Sequence, residues 1–241
     1  MNVLNIKNID DFKKEMKKRF LEKVSGERFF RLSATPASFR DINLSVNMSK
    51  VKEVLMNPPY KRESGWTMKV IGNFVTTLEG IENDDYEWRH LKFLKNGHLE
   101  FWARVDDSFC WRQNEDEMKI NPRLYPYAVC EYPVSFFYLL RGLIDSLPIS
   151  SDYAFEGGFY NCKGAYMRPG HPNSIIYRAS FYKPVYWEHN DLEFRERPIS
   201  TRFDAEQEAY RLVTEIYNAF GISDEKGIPF FDQNGKFSLG E

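Results

Sequence analysis

The stretch 132–147 constrains the fold of this chain more than any other part of it. Phe136, Phe137, Leu139, Leu140, Leu143, Ile144 and Leu147 cover most of a helix's circumference, and a helix apolar nearly all round has to be buried. The run is shorter than a bilayer span and carries Arg141 and Asp145, which reads as a core helix and not a membrane anchor. Pro133 suits the first helical position, where its missing N–H costs nothing, and Pro148 stops the helix. The expectation is a helix over 133–147 that packs across a sheet and forms the centre of the core.

The rest of the sequence supplies that sheet. Residues 28–33 read as a strand ended by Thr35-Pro36, 68–78 is β-like, and 80–85 reads as a polar turn. A hairpin spans 86–105 around Asn96-Gly97. A two-residue turn would set Phe93 opposite Glu100. A three-residue loop with a bulge at Gly97 instead pairs Phe93 with Leu99 and Leu91 with Phe101 on one face, and Lys92 with Glu100 on the other. The bulged register is therefore expected, with His90 and His98 as surface histidines on its polar face. Further strands are expected at 109–112, 153–160, 165–168 and 175–182, with Pro184 placing the segment after it at an edge or bulge.

Three more helices are legible. Asn8 is an N-cap with Asp10 and Asp11 in the first turn; Ile9, Phe12, Met16, Phe20 and Val24 recur at helical spacing, and Gly26 ends the element. A short helix is expected over 49–57, stopped by Pro58-Pro59. Asp204 and Gln207 make a capping-box start for an amphipathic helix whose apolar face is Ala209, Leu212, Val213, Ile216 and Phe220, with Gly221 as its stop. The expected class is α+β: a mostly antiparallel sheet packed by a central apolar helix and a C-terminal amphipathic helix. The expected organisation is an N-terminal helix within 1–26, one domain over 27–221, and a tail over 222–241 with a turn at Asn234-Gly235.

Composition narrows function mainly by exclusion. The net charge of −2 gives no global field to attract nucleic acid or an anionic membrane. Cys110, Cys130 and Cys162 are widely spaced and odd in number, so they read as reduced thiols, and no C-x-x-C pair supports structural zinc. Residues 1–7 carry no apolar run of signal-peptide type, and a cytoplasmic protein is expected. There is no P-loop, no dinucleotide fingerprint and no G-x-S-x-G elbow. Gly157, Gly158 and Gly164 read as bends or bulges in a β-rich region, Glu188-His189-Asn190-Asp191 as a turn, and Asp232-x-Asn234-Gly235 as a turn and not a calcium loop. No cofactor and no metal are expected. A 16% aromatic content interleaves with arginine at Arg62 and Trp66, at Trp88, at Trp102 and Arg104, and at Trp111 and Arg112. Exposed rings of this kind stack on bases while arginines hold phosphates, so these seven residues are the candidate binding set; tryptophans turned inward on ordinary strands would show the same pattern.

Three segments carry a family resemblance: Leu55-Met56-Asn57-Pro58-Pro59 followed by Arg62 and Gly65-Trp66; 93–101 with Asn96-Gly97 before Leu99-Glu100-Phe101; and Glu215-Ile216-Tyr217-Asn218-Ala219-Phe220-Gly221. Together they resemble the region that follows the Schlafen/AlbA-like ATP-binding domain in many prokaryotic proteins, over roughly 29–221. Nothing here resembles the AlbA-like domain itself, so the resemblance implies the accessory half alone. It implies a cytoplasmic prokaryotic protein in regulation or phage defence, and it supplies no catalytic residues. The expected function is a non-catalytic interaction or sensing module with a protein partner that processes nucleotides or nucleic acid. A nucleic-acid-binding protein using the Arg/Trp segments is the first alternative, and a hydrolase with a dispersed active site the second. No membrane partner is expected, and self-association is left open.

Overall fold

The computed structural model describes residues 2–39, 47–58, 68, 73–83, 88–167, 183–222, 228–232 and 234–238. Among them, eight strands form one sheet: β1 (Phe29–Pro36), β2 (Phe74–Thr76), β3 (Gly80–Asn83), β4 (Arg89–Leu94), β5 (Leu99–Arg104), β6 (Tyr153–Tyr160), β7 (Leu192–Glu193) and β8 (Arg197–Ile199). The order is β2-β3-β4-β5-β1-β6-β7, with β8 also paired to β6. Each of these strand pairs is antiparallel. The helices are α1 (Ile9–Lys23), α2 (Met48–Met56), α3 (Val105–Ser108), α4 (Glu115–Ile120), α5 (Pro126–Ser146) and α6 (Ala205–Ala219). The chain is α+β, as its sequence pattern requires. No described helix is long and apolar enough to cross a membrane.

The hairpin takes the bulged register, with Phe93 opposite Leu99, Leu91 opposite Phe101 and Lys92 opposite Glu100, and Gly97 at φ 87°. Strand β1 lies at the centre, between β5 and β6, and strand parity gives it two unlike faces. Phe30, Leu32 and Ala34 point one way, with Leu99, Phe101 and Ala103 of β5 and Phe155 and Phe159 of β6. Helix α5 covers this side: Tyr132 packs 5.3 Å from Phe101 and Phe137 packs 5.2 Å from Phe155, ring centre to ring centre. Helix α6 lies beside α5 and buries Ala209, Leu212, Val213 and Ile216, while α2 adds Val51 and Leu55. Each such aliphatic or aromatic side chain contributes roughly 1.5–3 kcal/mol through burial.

Several expectations need correction. Helix α5 begins at Pro126, not Pro133; Pro126 is its N-terminal proline, and Pro133 lies inside, buried among core residues. Pro133 cannot donate to the Val129 carbonyl, a loss that the packing of the helix offsets. Residues 80–83 are strand β3 rather than a polar turn: Ile81 is buried, and a Cβ on Gly80 would lie 2.2 Å from the Phe93 carbonyl oxygen. Residues 109–112 are not a strand but the turn after α3, with Arg112 at φ 55°. In 165–168 the described part makes only single bridges at Tyr166. The expected strand 175–182 lies outside the described residues. Residues 228–232 pack inward through Ile228 and Phe230, and Phe231 bridges to Phe237 across the expected Asn234-Gly235 turn.

The two strongest caps form as their residues dictate. Asn8 Oδ1 accepts from the Asp10 and Asp11 amides, and Asp204 Oδ1 accepts from those of Glu206 and Gln207. The Gln207 side chain turns to the Asn234 carbonyl, tying the 234–238 stretch to α6.

Candidate functional site

The second face of the sheet carries Arg31, Ser33 and Thr35 of β1, Glu100 and Trp102 of β5, His90 and Lys92 of β4, and Glu156 of β6. Helix α1 covers it. Phe20 and Val24 join Phe29, Trp102 and Tyr160 at one end, and Phe12 and Met16 join Val3 and Leu94 at the other. Between these two apolar clusters lies buried charge.

Arg31 is fully buried. Its Nε donates to Glu100 Oε2 at 2.8 Å, and its Nη2 lies 2.7 Å from the same oxygen, an ion-pair contact without a hydrogen-bonding angle. Its Nη1 donates to Glu156 Oε1 at 2.9 Å. Lys92 Nζ lies 2.7 Å from Glu100 Oε1. Burial alone would push the Glu100 carboxyl up, but Lys92, Arg31 and the His98 ring together hold it well below the usual carboxylate range. Burial likewise opposes the Arg31 charge, and Glu100 and Glu156 more than restore it.

The two histidines expected at the surface are buried here, because α1 roofs the face that the hairpin register assigns to them. His90 is paired with Trp102 across the strands, with ring centres 4.8 Å apart, and its Nε2 lies 3.2 Å from Glu82. His98 Nδ1 is 2.9 Å from the Thr35 hydroxyl, and its Nε2 is 3.9 Å from Glu100, an electrostatic and not a hydrogen-bonding distance. Burial pushes both imidazoles below their ordinary value, further than the neighbouring carboxylates raise them. Beneath the C-terminal half of α1, a cavity of about 240 Å³ is lined by Lys23, Thr77, Glu82, His90, Lys92 and Trp102, among others. Among its lining groups, His90 pairs with Glu82 and Lys92 with Glu100, contacts that hold charge in place and offer no evident constellation for bond-breaking.

A second feature is the surface turn after α3. Trp111 is 44% exposed, and the Arg112 guanidinium lies 4.1 Å over its ring. Arg123 donates to the Trp111 carbonyl, the Gln113 side chain accepts from the Arg123 amide at 2.7 Å, and its amide nitrogen donates to the Asn121 carbonyl at 2.7 Å. Behind Trp111 runs a file of rings, with Tyr125 at 5.1 Å, Tyr127 at 5.5 Å from Tyr125, and Phe230 at 4.2 Å from Tyr127. The turn is fixed from below, and Trp111 keeps part of its ring exposed.

The seven candidate binding residues do not converge. Trp102 is 2% exposed under α1 and offers no stacking surface. Arg104 pairs with Glu27 and Asp107. Trp88 is 48% exposed ahead of β4, and Arg62 and Trp66 lie outside the described residues. Only Trp111 and Arg112 form an exposed aromatic–cation pair among the described members of the set. The buried Arg31–Glu100–Lys92 cluster was not anticipated, although its signal is present: an arginine within the apolar run 29–34, and Lys92 facing Glu100 in the expected register. All three thiols are buried; burial pushes Cys110 up to about 12 and raises Cys130 and Cys162 too. Among the described residues no group of three or more His, Cys, Asp or Glu is placed to hold a metal ion. No family model matches the chain, and no curated protein or solved structure matches it significantly.

Proposed function

We propose that this chain is a non-catalytic interaction and sensing module that docks on a partner protein through the Trp111–Arg112 turn. The exposure of Trp111 on a rigid turn carries this reading. Tryptophan and arginine dominate the energetics of protein interfaces, and a ring already immobilised loses little freedom on binding. Following the resemblance to the accessory region of Schlafen/AlbA-like proteins, the partner is a protein that processes nucleotides or nucleic acid, in prokaryotic regulation or phage defence. The test is affinity capture from the native host at native expression, comparing the wild type with Trp111→Ala. The expected result is one stoichiometric partner, lost in the variant while the urea midpoint is unchanged. Capture of the same proteins by both, or of none, refutes the reading.

The guanidinium stacked on an exposed indole also favours a second reading, a nucleic-acid platform. Against it, Glu115, Asp116 and Glu117 form the exposed first turn of α4, a few residues beyond Arg112, where they repel phosphates. Binding of single-stranded RNA that falls steeply between about 50 and 200 mM salt would favour the platform over the protein partner.

A further inference from the structure

We infer that α1 is an acid-released latch: in mildly acidic solution it lifts from the sheet as one unit, turning about Gly26, while the α5 side of the fold stays closed. This goes beyond the reading above and does not depend on the Trp111 turn.

The packing of α1 lets it part from the rest. Its inward residues Phe12, Met16, Phe20 and Val24 belong to two small clusters that share no member with the large core under α5. At Gly26 the backbone takes φ +84° and nothing lies within 4 Å of the Cβ position, so the chain is not wedged there. Just beyond it the sheet takes hold: Asn161 donates to the Glu27 carbonyl at 2.8 Å, and the Val105 amide to the Arg28 carbonyl at 2.8 Å. The trigger lies beneath the helix, where His98 and His90 are 0% and 1% exposed. His98 meets the Phe12 ring of α1 at 5.2 Å, and His90 lies 4.8 Å from Trp102, whose ring is 6.4 Å from that of Phe20. A proton on His98 would face Glu100 of β5 with Arg31 of β1 and Lys92 of β4, the two cations that Glu100 already serves, while Glu156 of β6 pairs with Arg31. A proton on His90 would face Glu82 of β3 and Glu100, against Lys92 and, from α1, Lys23. In both places burial and the cations outweigh the carboxylates, so the rings stay neutral while α1 is down. Lifting α1 admits water to both. The lifted form then binds more protons below about pH 6.5, and acid favours it by up to about tenfold per pH unit for each ring. It also bares the charged strip of the sheet and the apolar stripe of Phe12, Met16 and Phe20.

Hydrogen exchange of the full chain, read by mass spectrometry at about pH 7 and about pH 5.5 and corrected for the intrinsic rate, tests this. At the higher pH α1 should already be less protected than α5. At the lower pH its protection should fall by at least about tenfold, with α5 still far better protected than α1. Equal protection of the two helices at each pH would mean that α1 opens only with the whole fold, and would overturn the proposal. Protection of α1 that is lower than that of α5 but level with pH would overturn it too. The double variant His90→Gln with His98→Gln should remove the fall in α1 between the two pH values; a fall that persists in it places the trigger elsewhere and refutes the latch as drawn. The wild-type comparison decides the matter even where that variant does not fold. Capture through Trp111 is scored separately, so a failed latch leaves the docking surface standing.

Discussion

Glu100→Gln tests the buried charge directly. In the wild type the Glu100 carboxylate neutralises two cations, Arg31 through contacts of 2.8 and 2.7 Å and Lys92 through one of 2.7 Å. The substitution keeps the volume and removes the charge. Arg31 retains Glu156 at 2.9 Å, but its Nε side faces a neutral amide in a fully buried site. Breaking a buried pair by removing one partner costs about 3–5 kcal/mol. The amide oxygen still accepts one hydrogen bond, which places the expected loss near the lower bound, about 3 kcal/mol. With a urea slope near 3 kcal/mol/M for a chain of this size, the midpoint should fall by about 1 M. Arg31→Met with Glu100→Leu removes both charges at the buried centre and leaves Lys92 and Glu156, which reach solvent. That double variant should lie within about 2 kcal/mol of the wild type, well short of the sum of the two single losses. A Glu100→Gln loss under about 1 kcal/mol, or a double variant as costly as the two singles added, would show that these contacts carry no coupled energy.

Acid should destabilise the protein before its carboxylates titrate. His90 and His98 are held below 6.5 in the folded chain, so the unfolded chain binds more protons below that pH. Their contribution is complete above pH 6.5 and declines as pH falls, by about 1.4 kcal/mol per unit for each ring until its folded pKa is reached; urea midpoints that stay level from about pH 7.5 to 5 would contradict this. The Glu100 contribution is lost separately, below the ordinary 4.5, as pH falls toward its depressed folded pKa. Gly80→Ala brings a Cβ to 2.2 Å from the Phe93 carbonyl oxygen and 2.7 Å from the Leu94 Cα; a loss of roughly 2–3 kcal/mol is expected by thermal or urea unfolding. Gly26→Ala meets nothing within 4 Å and bears only the strain of φ +84°, about 1 kcal/mol, so the two losses should differ clearly. Iodoacetamide at about pH 8, followed by intact mass, should leave Cys110, Cys130 and Cys162 unmodified over minutes in buffer and modify all three in urea, because the thiolate is the reactive form.

What the sequence disclosed depended on whether the deciding interaction was local. The caps at Asn8 and Asp204, the bulged turn at Gly97 and the apolar faces of α1 and α6 involve residues a few positions apart, and each could be located. The hairpin register was also legible, because only one pairing matches side chains on both faces. Pro133 misled because two prolines compete for the start of α5, and the earlier one, Pro126, stands before Tyr127, Val129, Cys130 and Tyr132, residues of weak helix propensity. Gly80 read as turn chemistry because its actual neighbour, the Phe93 carbonyl, is thirteen positions away. His90 and His98 were assigned the correct face of the hairpin and the wrong degree of exposure: parity fixes the side of the sheet, but what covers that side is α1, some seventy residues earlier.

That covering helix explains how such a charged face can be an interior one. A slip of one residue in β4 would turn Lys92 toward α5, beside Phe101 and Tyr132, would leave Glu100 without it, and would bring Leu91 and Phe93 to the face under α1. The apolar face alone resists such a slip through lost burial. The charged face adds a second resistance, since an ion stripped of its partner in that core costs several kcal/mol. At the rim, Lys13 reaches Glu196, Lys17 reaches Glu193 and Arg19 reaches Glu79, so α1 is aligned by charge along its edge as well as by Phe12, Met16 and Phe20 beneath it. The exposed rim pairs contribute little energy individually. Their effect is positional: they align α1 along the edge of the sheet, over the face that carries Arg31, Glu100 and Lys92.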